Sequence, residues 1–113
     1  MSETLARLLE GCAAAPGAIG CGVRQPGRPS HVQSFHKEFS SEALEKALLH
    51  LANANALMAN HDISGKWVTW KFAHAQIFAT TRSDGALFCL ITRRGAEAGE
   101  FFESMASRFA TAT

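Results

Sequence analysis

The chain of 113 residues has little charge, no tyrosine and no run of like charges. Charged residues make up 19% of it, against about 25% in an average soluble domain, and the formal net charge is only +1. Lysines and arginines are scattered, and only Arg93 and Arg94 are adjacent. Nucleic-acid binders usually carry a basic stripe, and single-strand binders add aromatic residues for stacking. We therefore expect no nucleic-acid partner.

Long hydrophobic runs are also absent. No stretch approaches the ~20 apolar residues that a membrane-spanning helix needs, so we expect no membrane partner. Residues 1–4 (MSET) lack the basic segment followed by an apolar stretch that marks an export signal. The cysteines, Cys12, Cys21 and Cys89, are few, odd in number and widely spaced. Together these features predict a cytoplasmic protein with reduced thiols.

The spacing of cysteine and histidine residues does not match the common metal and catalytic motifs. No two cysteines are two to four residues apart, as in structural zinc sites, so we expect no metal and no cofactor. Gly20 and Gly22 lie within a predicted strand, whereas a phosphate-binding loop needs a strand to end and a helix to begin at its glycines. We therefore predict a protein without catalytic residues. An enzyme site assembled from scattered polar residues is a third-ranked alternative.

Hydrophobic periodicity predicts the order helix, strand, strand, helix, strand, strand, strand, helix. The predicted helices span about 2–15, 40–61 and 97–110, and the predicted strands about 18–25, 31–35, 66–73, 76–82 and 86–92. The chain has the usual length of one domain, and we expect a single domain over residues 1–113.

The stretch SDGALFCLITRR contains the most hydrophobic strand. Leu87, Cys89 and Ile91 alternate there with Phe88 and Leu90, so both faces of the strand are apolar. Such a strand is buried on both faces. We therefore expect it at the centre of a sheet, with helices above and below it.

The first strand alternates larger residues with glycines. Ile19, Cys21 and Val23 are expected on one face, and Gly20 and Gly22 on the other. The two glycines would leave a hollow into which a helix can pack closely.

The third strand carries two tryptophans that point to opposite faces. Trp70 is expected in the core with Val68 and Phe72. Trp67 is predicted to be a partly exposed contact, because tryptophan is frequent at the energetic centres of protein interfaces. The alternative role for Trp67 is to cover an edge of the sheet.

The long central helix, EALEKALLHLANANALMANH, has an apolar arc wider than one sheet face requires. A helix that is apolar over most of its circumference is either enclosed by its own chain or shared with a second chain. Because so small a chain has little left to enclose it, we favour pairing with a partner helix.

This order of elements resembles the roadblock family, the dynein light chain relatives that include bacterial and archaeal partners of small Ras-like GTPases. The resemblance covers nearly the whole chain and is carried by PGAIGCGV at 16–23, the long helix and SDGALFCLITRR at 83–94. It implies an α+β fold, a three-layer α/β/α sandwich. In that fold a five-stranded antiparallel sheet has the long helix on one face and the two terminal helices on the other.

The resemblance also implies function. Family members pair through the central helix, often with sheet edges, and act as non-catalytic scaffolds or regulators of small GTPases. In this chain the residues that we predict to form a homodimer interface are Leu49, His50, Asn53, Leu57 and Met58. The alternative function is a small-molecule sensor of profilin-like or PAS-like layout, with a pocket lined by Trp70, Phe72 and Phe88.

Overall fold

The computed structural model describes residues 3–37, 39–60 and 67–112, and for residues 51–60 it describes the helix but not the side chains. Within these ranges the elements follow the order expected from the sequence. They are α1 (Glu3–Gly11), β1 (Ala18–Arg24), β2 (His31–Ser34), α2 (Ser41–Asn60), β3 (Val68–Lys71), β4 (Ala75–Thr81), β5 (Leu87–Arg93) and α3 (Gly99–Thr111). A short 3-10 turn, Cys12–Ala14, follows α1. Over the described part of the chain, no helix combines the length and hydropathy needed to cross a membrane.

The five strands form one antiparallel sheet in the order β2-β1-β5-β4-β3. Residues of α2 share a buried cluster with one face of this sheet, and residues of α1 and α3 share another with the opposite face. The fold is therefore the three-layer α/β/α sandwich that the resemblance implied. Strands β2 and β3 form the two edges.

The central strand β5 is buried on both faces, as its sequence predicted. Leu87, Cys89 and Ile91 belong to the cluster under α2. Phe88 and Leu90 belong to the cluster under α1 and α3. Residues 87–92 of the strand are therefore covered on both faces by a helical layer.

The expectation for Ile19 was wrong. The pairing of β1 with β5 shifts register between Ala18 and Gly20. Because a bulge of this kind adds a residue to one strand, it reorients the side chains beside it. Ile19 therefore packs in the cluster under α2, whereas Cys21 and Val23 face the opposite helical layer.

The hollow predicted at the two glycines of β1 is present, and α2 fills it. A Cβ atom added at Gly20 would lie 2.8 Å from Cδ1 of Leu44, and one at Gly22 would lie 3.2 Å from Cδ2 of Leu48. Both distances are shorter than ordinary van der Waals contact. The absence of side chains at these two positions therefore fixes how closely α2 approaches the sheet.

Candidate functional site

The sheet-facing side of α2 is set by its first two turns. The Ser40 hydroxyl accepts a hydrogen bond from the Ala43 backbone N–H at 3.1 Å, which caps the helix. Leu44 and Leu48 then lie against β1 and are only 3% and 0% exposed. The orientation of α2 is thus fixed from its N-terminal end.

The flank of α2 next to Leu48 carries an exposed leucine. Leu49 is 42% exposed, and the neighbouring His50 is also exposed. Asn53, Leu57 and Met58 lie in the same helix, but their side chains are outside the part of the chain that the structure describes. The dimer interface at these five residues stays a prediction.

The helical repeat nevertheless shows which of these positions share a side of α2. Asn53 and Leu57 follow Leu49 at intervals of four residues, so the three positions share one side of α2. Met58 follows Leu44 by fourteen residues, which is close to four full turns, and so it lies nearer the sheet-facing side. We therefore expect Leu49 and Leu57 to contribute most to pairing and Met58 to contribute least.

Trp67 lies on the other face of the sheet and is partly buried. Its ring centroid is 5.6 Å from that of Phe78 and 5.5 Å from that of Phe102, and Phe102 stacks on Phe88 at 5.3 Å. The indole also borders a surface cavity of about 480 Å³ beside α3. These contacts fit the role of covering the sheet near its edge. A partner contact at the exposed part of the ring stays a prediction.

The residues proposed for a sensor pocket do not come together. Phe88 is fully buried under α1 and α3, while Trp70 packs in the cluster under α2. Phe72 was expected in the core with Trp70 but is 51% exposed, because it follows the last residue of β3 at the turn into β4. The Nε1 atom of Trp70 is buried and has no hydrogen-bond partner among the described residues.

The buried cysteines are poor nucleophiles. A side-chain hydrogen bond with Cys12, and then burial, raise the pKa of the Cys21 thiol far above its ordinary value. Burial raises the pKa of Cys89 to about 12. Both thiols are therefore protonated at neutral pH, whereas the thiolate is the reactive form. Among the described residues, no group of three or more His, Cys, Asp or Glu side chains could hold a metal ion.

Arg82, which the sequence did not single out, joins the hairpin between β4 and β5 to the end of α3. Its Nη1 donates to the carbonyl oxygens of Phe109 at 2.9 Å and Ala112 at 2.7 Å. The guanidinium also lies 4.6 Å from the Phe109 ring centroid and is paired with Asp84 at 2.9 Å. Hydrogen bonds from Arg82, and then from the Ala86 N–H, hold the pKa of Asp84 below its usual value.

Gln76 is a second polar residue that the sequence did not single out. It is buried in β4, and its Nε2 donates to Oγ1 of Thr92 at 3.0 Å and to the carbonyl oxygen of Ala96 at 2.7 Å. These bonds tie the segment before α3 to the sheet. The bonds of Gln76, and those of Arg82 to the end of α3, span 16 or more residues of sequence, so no local pattern marked them.

Comparison with known proteins finds solved structures of similar fold. No protein-family model and no curated protein sequence matches the chain. Among solved structures, the gliding protein MglB from Thermus thermophilus has a TM-score of 0.72 at 12% identity, with 96% of this chain and 87% of that one covered. An MglB with tetrameric arrangement has a TM-score of 0.68 at 13% identity, with 97% and 90% covered.

A roadblock/LC7 domain from Streptomyces avermitilis is also similar, with a TM-score of 0.60 at 16% identity and coverage of 90% of this chain and 88% of that one. These identities are low, so the likeness concerns the fold. Together with the strand order and the two helical layers, the comparisons show that the chain has a roadblock/LC7-like fold.

Proposed function

We propose that residues 1–113 form one roadblock-like domain that acts in the cytoplasm as a non-catalytic homodimer and regulates or scaffolds a small Ras-like GTPase. Two copies pair through the solvent-facing side of α2, with Leu49 and Leu57 at the centre of the contact. The exposed Leu49 on a helix whose Leu44 and Leu48 are already seated on the sheet is the observation that carries this proposal.

The energetics of α2 support pairing. Burying one large apolar side chain stabilises a protein by about 1.5–3 kcal/mol, and small domains are stable by only about 5–15 kcal/mol in total. Leu49 forgoes part of this gain in a single chain, since it is 42% exposed. A second copy of the same surface would cover it in a two-fold symmetric contact.

Two further observations support a regulatory rather than a catalytic role. The thiols of Cys21 and Cys89, which as thiolates would be strong nucleophiles, are buried and held protonated. In addition, one of the similar MglB structures has a tetrameric arrangement, so a chain of this fold can associate with copies of itself. The involvement of a GTPase rests on the family resemblance of the sequence.

The dimer is tested by placing a charge on the proposed contact. Leu57→Glu and Leu49→Glu should each convert the dimer to a folded monomer, because two buried carboxylates would face each other across the two-fold axis. Light scattering reports the mass and circular dichroism reports the fold. Ser104→Glu is the matched control, since it adds the same charge to an exposed position on α3. Variants at Leu49 and Leu57 that stay dimeric would place the interface elsewhere.

The partner class is tested separately. The tagged wild-type protein, mixed with an extract of its native host, should retain a small GTPase that mass spectrometry identifies, and the retention should depend on the bound nucleotide. Leu57→Glu serves as the comparison, because loss of retention there would connect partner binding to pairing. Recovery of a stable dimer without any GTPase, in either nucleotide state, would contradict the partner class and leave the dimer in place.

A further inference from the structure

The turn between β3 and β4 exposes the most accessible large apolar side chain described in the structure. Phe72 is 51% exposed and lies at the end of the sheet where β3 and β5 finish and β4 begins. The Phe72 backbone N–H donates to the carbonyl oxygen of Ala75 at 2.8 Å, which closes the turn. The ring therefore projects from a well-formed hairpin rather than from a loose loop.

Basic residues lie at the same end of the sheet as this ring. Nη1 of Arg94 donates to the Phe72 carbonyl oxygen at 2.9 Å, and the Arg94 backbone N–H donates to the carbonyl oxygen of His74 at 3.2 Å. These bonds hold the end of β5 beside the hairpin. Lys71 precedes the ring, and Arg93 lies opposite Ala75 in the strand pairing. We call the exposed set Lys71, Phe72, His74, Arg93 and Arg94 the basic tip.

The positive charge of the basic tip is not neutralised within the described part of the chain. The ion pairs found there use Arg7, Lys46 and Arg82, and none uses Lys71, Arg93 or Arg94. Between residues 67 and 96 the sequence has a single acidic residue, Asp84. That carboxylate lies in the turn at the opposite end of β4 and β5, where it binds Arg82.

We propose that the basic tip is a docking site for an acidic segment of a partner protein that also carries an apolar side chain. Carboxylates of the segment would pair with Lys71, Arg93 and Arg94, and its apolar side chain would cover the Phe72 ring. Arginine and aromatic residues are enriched at interfaces, and complementary charge gives such contacts their specificity and rate of association.

The dimensions of the basic tip fit a short segment. From β3 to β5 is two strand spacings, or about 10 Å, which an extended chain spans in three or four residues. A membrane surface fits less well, because a single exposed aromatic ring buries far less apolar surface than the acyl chain that membrane anchoring combines with a basic patch. The site goes beyond the proposed function, since it lies within one chain and requires neither the dimer nor a GTPase.

The experiment uses synthetic peptides of about a dozen residues with the full chain. One fluorescent peptide alternates glutamate with leucine, and its control replaces every glutamate with glutamine. Fluorescence polarisation should show binding of the acidic peptide at about 50 mM salt and at least tenfold weaker binding at about 500 mM, where the screening length is only a few ångströms. The glutamine peptide should bind at least tenfold more weakly than the acidic one at low salt.

Matched variants locate the binding. The double variant Lys71→Gln/Arg93→Gln should weaken binding of the acidic peptide about tenfold, and Phe72→Ala should weaken it several-fold, since either change removes a contact without adding a new one. The control Arg7→Gln/Lys46→Gln removes the same charge from exposed positions on α1 and α2 and should leave the affinity unchanged.

The proposal is overturned if the acidic peptide does not bind at low salt, or if it binds no more tightly than the glutamine peptide. Equal losses in the two double variants would also overturn it, because binding would then follow net charge and not the tip. Vesicles rich in phosphatidylglycerol are tested as an alternative ligand. Binding to them that Phe72→Ala abolishes would assign the tip to a membrane surface instead. None of these results bears on the dimer, whose mass is measured independently.

Discussion

At the scale of single residues, the position of α2 depends on the absence of side chains at Gly20 and Gly22 of β1. Gly20 leaves room for the side chain of Leu44, and its α-carbon also lies beside the neighbouring edge strand. A Cβ atom there would come within 3.0 Å of the Gln33 carbonyl oxygen as well as 2.8 Å of Leu44. The Leu44 side chain can shift, but the backbone oxygen of β2 cannot move without disturbing the strand pairing.

Gly20→Val should lower the free energy of unfolding by about 1–3 kcal/mol, because the added methyl groups overpack the contact between β1 and α2. Urea unfolding followed by circular dichroism measures this change. Gly99→Ala is the control, since a Cβ at that position would meet its nearest neighbour, the Trp67 ring, at an ordinary 3.9 Å. A Gly20 variant as stable as the Gly99 variant would show that α2 does not depend on the close approach.

At the scale of elements, α3 is joined to the sheet before its first turn and after its last. Gln76 binds the Ala96 carbonyl oxygen just before the helix, and Arg82 binds the Phe109 and Ala112 carbonyl oxygens at its end. A helix leaves its last carbonyl groups without partners inside the helix. A guanidinium cation satisfies them and also interacts favourably with the negative end of the helix dipole.

Arg82→Ala should therefore lower the free energy of unfolding by about 2–3 kcal/mol, since it removes two charge-assisted hydrogen bonds and takes from the Ala112 carbonyl oxygen the donor that binds it. Hydrogen exchange should accelerate first in the last turn of α3. Arg7→Ala is the matched control: its ion pair with Glu3 is 72% and 78% exposed, and such pairs contribute about 0.2–1 kcal/mol. Unchanged exchange in α3 would show that Arg82 does not hold this helix.

The sequence predicted the elements well where the pattern was local. The order of helices and strands and the two buried faces of β5 both follow from periods of two and 3.6 residues. The sequence did not predict that Ile19 packs under α2, because a bulge depends on the pairing partner and not on the strand alone. Phe72 was misplaced because β3 ends earlier than the apolar pattern does.

The sequence predicted less of the candidate site than of the fold. The exposure of Leu49 was predictable, since the apolar arc of α2 exceeds the width of one sheet face. The basic tip was not, because Lys71 and Arg94 are 23 positions apart in sequence and meet only when β3 and β5 end at the same edge of the sheet. Residues that act together across strands leave no periodic signal in either strand.

At the scale of the whole molecule, the two faces of the sheet are covered unequally. One face has two helices and a cluster of stacked aromatic rings centred on Phe88 and Phe102. Within the described ranges the other face has α2 alone, with Leu49 partly exposed. A second copy placed on α2 would complete the outer layer on that side. The central claim is that two copies pair in this way.

Pulsed electron paramagnetic resonance tests that claim most directly. A spin label at Lys46→Cys lies on the exposed side of α2, while one at Ser104→Cys lies on α3, beyond the opposite face of the sheet. The native thiols Cys12, Cys21 and Cys89 are buried and should not react.

Pairing through α2 predicts a distance between copies below about 35 Å for the Lys46→Cys label, because the helix is about 30 Å long and packed helix axes lie about 8–10 Å apart. The Ser104→Cys labels should then be separated by about 50 Å, since two sheets and two copies of α2 lie between them, which makes five layer spacings of about 10 Å each. The reverse order of the two distances, or no dipolar signal between copies at micromolar concentration, would contradict the account.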